Sequence, residues 1–97
     1  MAYSEDILKK MVNMGILGYT PDKIANILDI DNNTDVNKFI FDFNNPDSDI
    51  SRAYRKGVDK SDYSLDMKLY KMASDGDLKA LQKYEERKSY QKVIKRK

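Results

Sequence analysis

Asn32, Asn33, Asn37 and Lys38 fall within seven residues and carry side chains able to read DNA bases. Asparagine can pair bidentately with adenine in the major groove, and lysine reaches guanine or phosphate. The local charge opposes that use. Asp29, Asp31, Asp35 and Asp42 stand around a single base, Lys38. Phosphate attraction usually supplies most of the affinity for DNA, and such a surface repels phosphate. Base reading and an ordinary helical hairpin are both open for this segment.

The same stretch, DIDNNTD at 29–35, has a superficial calcium-loop look. Counted from Asp29, the glycine position is Thr34 and the bidentate glutamate position is Ile40. Counted from Asp31, the glycine position is Val36. Neither register meets the geometry of the loop, so a capped turn is expected and no metal site. The chain has no histidine and no cysteine, which removes the usual general base, disulfides and thiolate metal ligands. The carboxylates are spread along polar faces, and there is no P-loop or glycine-rich phosphate cradle. No catalytic, cofactor-binding or metal residue is assigned, and no enzyme is expected.

A net charge of +2 conceals a split. Residues 1–50 hold nine acids and four bases, residues 51–97 seven acids and 14 bases. The last 11 residues, RKSYQKVIKRK, hold six bases and no acid. Such asymmetry points to a polyanionic partner at one end, or to head-to-tail contact between subunits. Arg87, Lys88, Lys92, Lys95, Arg96 and Lys97 could neutralise phosphates, or could simply be a solvated helix end whose cations favour the helix dipole. Tyr90, Val93 and Ile94 form a small apolar face on that basic background and favour a docking role.

The positioning elements read as helices throughout, with no period-two strand pattern. Ser4 caps a first helix with Ile7, Leu8, Met11 and Val12 on one face, and Gly15 and Gly18 bracket its end. Thr20-Pro21 starts a second helix bearing Ile24, Ile27 and Leu28. Thr34 or Asn33 caps a third, where Val36, Phe39, Ile40 and Phe43 fall at i, i+3, i+4 and i+7. After the loop NNPDSD, Ser48 or Asp49 caps a fourth helix with Ile50, Ala53, Tyr54 and Val58. Gly57 either ends it or lets another helix approach closely. Ser61 or Asp62 opens a fifth helix with Leu65, Leu69, Met72 and Ala73, and Asp75-Gly76-Asp77 stops it and caps the next. The fold class expected is all-α: a helical domain over 1–84, containing a helix-turn-helix-like unit at 19–44 and a helical hairpin at 48–84, then a basic extension or tail at 85–97.

Small Ala25, followed by Leu28, Ile30 and Val36, supports the helix-turn-helix reading. The spacing from Ala25 to Val36 makes the turn one residue longer than usual, and Asp29 stands where that turn normally has glycine. No apolar run approaches the ~20 residues of a membrane span, and the N-terminus lacks a secretory signal pattern. A cytoplasmic protein with no membrane partner is expected.

The order and spacing of IANILDI, then Ala53-Tyr54-Arg55-Lys56-Gly57, then Ala73-Ser74-Asp75-Gly76-Asp77-Leu78-Lys79-Ala80-Leu81, resembles the small terminase subunits of tailed phages and related phage helix-turn-helix proteins. The resemblance covers about residues 16–88. It implies a non-enzymatic DNA-packaging adaptor in the bacterial host cytoplasm. Such a protein binds phage DNA, self-associates into an oligomer and serves a separate ATPase and nuclease, the large terminase subunit. By position, residues 20–44 would hold DNA, residues 50–84 would pack subunits together with Tyr54 and Gly57 at the interface, and the basic end would meet the partner. Lys23, Asn33, Asn37 and Lys38 would assist DNA binding, while Arg87 to Lys97 would supply most of the attraction. A protein–protein or structural phage module without DNA binding is the alternative. A transcriptional regulator is the third, and would need a dimer with two reading helices about one DNA turn apart.

Overall fold

The computed structural model describes the backbone of residues 3–95 and the side chains of residues 3–89. It contains five helices, and no strand among the described residues: α1 (Glu5–Leu17), α2 (Pro21–Ile27), α3 (Asn33–Asn44), α4 (Asp49–Ser74) and α5 (Leu78–Lys95). The chain divides into two compact units, Met1–Ser61 and Asp62–Lys97. The division falls inside α4.

Local chemistry sets most helix ends. Ser4 Oγ accepts from Ile7 N–H, and Thr20 Oγ1 from Lys23 N–H, with Pro21 at the first helical position. Each satisfies a backbone donor that the first helical turn leaves without a partner. Asn32, one residue before the expected cap, starts α3: its side chain accepts from Thr34 N–H at 2.8 Å. Ser48 Oγ accepts from Ser51 N–H at the start of α4, and Asp77 Oδ1 accepts from Ala80 N–H at the start of α5.

Gly15 and Gly18 bracket the end of α1 as expected, and of the two roles open to Gly57 the structure takes the close approach of another helix. Gly15 does not end α1, which continues to Leu17; Gly18 ends it, at φ +70°, where glycine carries no steric cost. Gly57 does not end α4 either, and no new helix opens at Ser61 or Asp62, because α4 is one continuous helix of 26 residues. Its reason is contact with α1. A Cβ on Gly57 would lie 1.9 Å from the Val12 carbonyl oxygen, and one on Gly15 would lie 2.1 Å from the Tyr54 carbonyl oxygen. The two backbones touch, and only hydrogen fits between them.

The core of unit 1 is built from Met11 and Met14 of α1, Ile24 and Ala25 of α2, Phe39 of α3 and Ile50 of α4. The rings of Tyr3 and Phe43 pack edge to face and tilted on Phe39, with centroids 6.5 and 6.3 Å away. Unit 2 holds the rest of α4 and α5. Among its described residues the buried apolar ones are Leu69 and Ala80.

Candidate nucleic-acid and partner surfaces

The connection from α2 to α3 is made by residue conformation. Asp29 adopts the left-handed conformation, φ +60°. Aspartate tolerates this region better than most L residues. Ile30 N–H returns to the Ala25 carbonyl at 2.9 Å, and Ala25 is buried, leaving room for α3 to contact α2. Asn33, Asn37 and Lys38 are all exposed on α3. Lys23 is exposed on α2, with its ammonium 4.1 Å from the centroid of the Tyr19 ring.

The aspartates of this region have different surroundings. Asp42 is half-buried and accepts a 2.7 Å hydrogen bond from the Tyr3 hydroxyl, while its carbonyl accepts from Ser48 Oγ. Burial, then the hydrogen bond and negative charge of Asp42, raise the Tyr3 phenol well above its ordinary pKa. Asp29, Asp31 and Asp35 line a concavity of about 440 Å³ together with Tyr3, Lys38 and Phe39. The acids therefore gather on one side of α3 and at the α2–α3 turn.

Tyr54 and Gly57, expected at a subunit interface, are both engaged inside unit 1. The Tyr54 hydroxyl donates to the Tyr19 carbonyl at 2.9 Å, and its ring meets Phe43 edge to face at 4.8 Å. Gly57 is buried against α1. Their pairing in the sequence reflects how α4 crosses α1 within one chain.

Arg87 is not a free tail cation. Its Nε donates to Asp66 Oδ1 at 2.5 Å and its Nη2 to Asp62 Oδ1 at 3.3 Å, tying α5 to α4 inside unit 2. The Asp66 hydrogen bond leads the causes that hold the guanidinium still more firmly protonated than usual, against a smaller opposing effect of burial. Lys88 is exposed beside it. The side chains of Tyr90, Lys92, Val93, Ile94, Lys95, Arg96 and Lys97 lie outside the described residues. The backbone of α5 continues through Lys95, so residues 85–95 extend the helix.

Unit 2 carries a surface that the sequence reading missed. Tyr63, Met67 and Tyr70 sit at i, i+4 and i+7 of α4, with Tyr63 68% and Tyr70 50% exposed. Tyr84 of α5 joins them, its ring centroid 5.7 Å from that of Tyr70. Of the apolar residues read on this helix, Leu69 is buried while Leu65 and Met72 stay exposed. The spacing of Tyr63, Met67 and Tyr70 was available in the sequence.

No helix among the described residues is long and apolar enough to cross a membrane. Nor do the described residues hold a cluster of three His, Cys, Asp or Glu able to bind a metal ion. No family model matches the chain, and neither a curated protein nor a solved structure matches it.

Proposed function

We propose that this chain is a non-enzymatic DNA-binding adaptor of phage genome packaging, a small terminase-like protein that works as an oligomer beside a separate ATPase and nuclease. The α2–α3 unit carries the reading: a helix-turn-helix-like element with a buried alanine and a left-handed turn residue. Charge supports it. Unit 1 holds eight bases and ten acids, whereas unit 2 holds ten bases and six acids. Phosphate attraction on this reading comes mainly from the basic half, led by Lys88 and the bases beyond it, with Arg87 serving the hairpin instead. Lys23 and Lys38 assist from unit 1. Assembly on this reading uses the exposed Tyr63–Met67–Tyr70 stripe, because the hairpin leaves its large apolar side chains without cover. Tyr54 and Gly57 support assembly only indirectly, by holding unit 1 together.

A protein–protein module without DNA binding is the second reading, favoured by the same uncovered stripe and by the loss of Arg87 to an internal ion pair. Light scattering with and without a mixed-sequence duplex, followed by a salt titration of binding, separates the two. The first reading expects an oligomer that binds duplex at low salt, with affinity falling by a log–log slope of about −0.9 per phosphate neutralised. Absence of binding at low salt by both oligomer and monomer rejects it and leaves the second.

A further inference from the structure

We propose that unit 2 closes on a second copy of itself as a twofold dimer, each α4 lying over its partner's α5 to make a four-helix bundle. The inference rests on the assembly part of the reading above, to which it adds the partner and its orientation, and stands apart from the DNA part.

Within unit 2, α4 and α5 run antiparallel. The Asp75-Gly76-Asp77 turn joins them, Tyr70 meets Tyr84, and Arg87 reaches back to Asp66 and Asp62. On α4, Leu69 is buried, and Tyr63, Met67 and Tyr70 lie about 100–160° around the helix from it. On α5, Ala80 is buried, and Tyr84, Leu81 and Leu78 lie about 40–160° from it in the same sense. In an antiparallel pair these two flanks fall on one side of the hairpin, as the Tyr70–Tyr84 ring contact requires. The six side chains therefore form one face. Five of them are exposed, Leu78 to 78%, and Tyr84 is half-buried. A contiguous exposed apolar face of this kind marks an interaction surface, and tyrosine and methionine are favoured at such surfaces.

The charges bordering the face select a second copy as its occupant. Lys71 follows Met67 by four residues and edges the face on α4, while Glu85 follows Leu81 by four and edges it on α5. Both are exposed, and neither has an ion-pair partner among the described residues. They stand on opposite outer edges of one hairpin. Counted from the Tyr70–Tyr84 and Arg87–Asp66 contacts, they lie at nearly the same height along it. A twofold that lays α4 over the partner's α5 sets Lys71 against the partner's Glu85, twice per dimer. Laying α4 on α4 would set lysine on lysine and glutamate on glutamate. The ends of the hairpin agree. Asp75 lies at the turn end, and Lys88, four residues beyond Tyr84, lies towards the open end; both are exposed. Turn end over open end pairs Asp75 with the partner's Lys88, whereas turn over turn would bring Asp75 and Asp77 against their own copies. An ammonium has three donors, so this rim contact leaves Lys88 able to meet phosphate as well. The face is complementary to itself in charge, as an isologous interface requires.

The test uses the full chain, without nucleic acid, at low salt. The chain has no cysteine, so a disulfide reports the contact. Lys71→Cys and Glu85→Cys, mixed under mild oxidation, are expected to form a covalent heterodimer several-fold faster than either variant cross-links alone. Light scattering over a concentration series then follows the charges. Lys71→Glu and Glu85→Lys should each weaken assembly about tenfold, because two contacts per dimer turn repulsive. Both changes in one chain should restore it to within about threefold of wild type. Circular dichroism of each variant shows that the helices remain. Faster self-linking of Lys71→Cys than mixed linking overturns the proposal, as does assembly that ignores the charge reversals or fails to recover in the double variant; each of these spares assembly by another route. A wild type that stays monomeric at every concentration overturns the proposal together with the assembly part of the reading above.

Discussion

Unit 1 encloses Met11, Ile24, Phe39 and Ile50 completely, while unit 2 leaves Tyr63, Tyr70 and Leu78 largely in solvent and buries Leu69 and Ala80. Each large apolar side chain taken fully out of water stabilises by about 1.5–3 kcal/mol, so unit 1 gains most of what the chain gains from a core. Among its described residues, unit 2 is a helical pair fastened by the Arg87 ion-pair cluster and the Tyr70–Tyr84 ring contact, and helices draw most of their stability from packing an apolar face. The difference separates two tasks. Unit 1 can hold a surface such as that of α2 and α3 in fixed geometry, and unit 2 offers an incomplete surface whose burial requires something else.

The sharpest way to break unit 1 is at the contact between α1 and α4. Gly57→Ala sets a methyl group against a backbone carbonyl that cannot rotate away, and should cost about 3 kcal/mol or more in urea denaturation. Unit 2 should respond instead to concentration. Replacing Tyr63 and Tyr70 together by Glu is expected to weaken self-association about tenfold in light scattering, with little change in the stability of unit 1. Arg87→Ala should loosen the hairpin by about 1 kcal/mol, a value limited by solvent screening of a partly exposed pair, and hydrogen exchange in α5 measures it. Lys88→Ala should leave that exchange alone and, if DNA is bound, reduce the salt slope by about one phosphate. Asp29→Gly relieves a left-handed aspartate and should stabilise unit 1 by up to about 1 kcal/mol, seen as a higher Tm.

The smallest effect concerns pH. The fold raises the pKa of the Tyr3 phenol, by burial first and by Asp42 second, so the folded state holds that proton more tightly than the unfolded one. The associated stability is complete below the ordinary tyrosine value of 10.0 and declines as pH rises above it. Tyr3→Phe should remove this part of the alkaline decline in unit 1, and at neutral pH should cost about 0.5–1 kcal/mol for the lost hydrogen bond. Denaturation of both proteins from pH 8 to pH 11 tests the sign.

Features with a local cause could be read along the chain. Thr20-Pro21 and Asp77 mark their helix starts because a cap acts within three residues. The stripe Val36, Phe39, Ile40 and Phe43 predicts which side of α3 turns inward because the helical period alone decides it. Features with a distant cause were hidden. Arg87 looks like one cation among six until α4 brings Asp62 and Asp66, more than 20 residues earlier, to its guanidinium. Gly57 has the same ambiguity: a glycine in a helix reads as an ending unless the neighbour that needs the space is known. Ser61 and Asp62 look like a cap for the same reason, since nothing in their types distinguishes a helix start from a helix interior.

The paired glycines also constrain ancestry. Gly15 and Gly57 occupy one shared space, so neither codon can drift to a larger residue while the other remains fixed in this geometry. Descendants of this chain can exchange most solvent-facing residues and still keep a glycine in α1 and another in α4. Any that lose one should show compensating changes where Val12 and Tyr54 now stand.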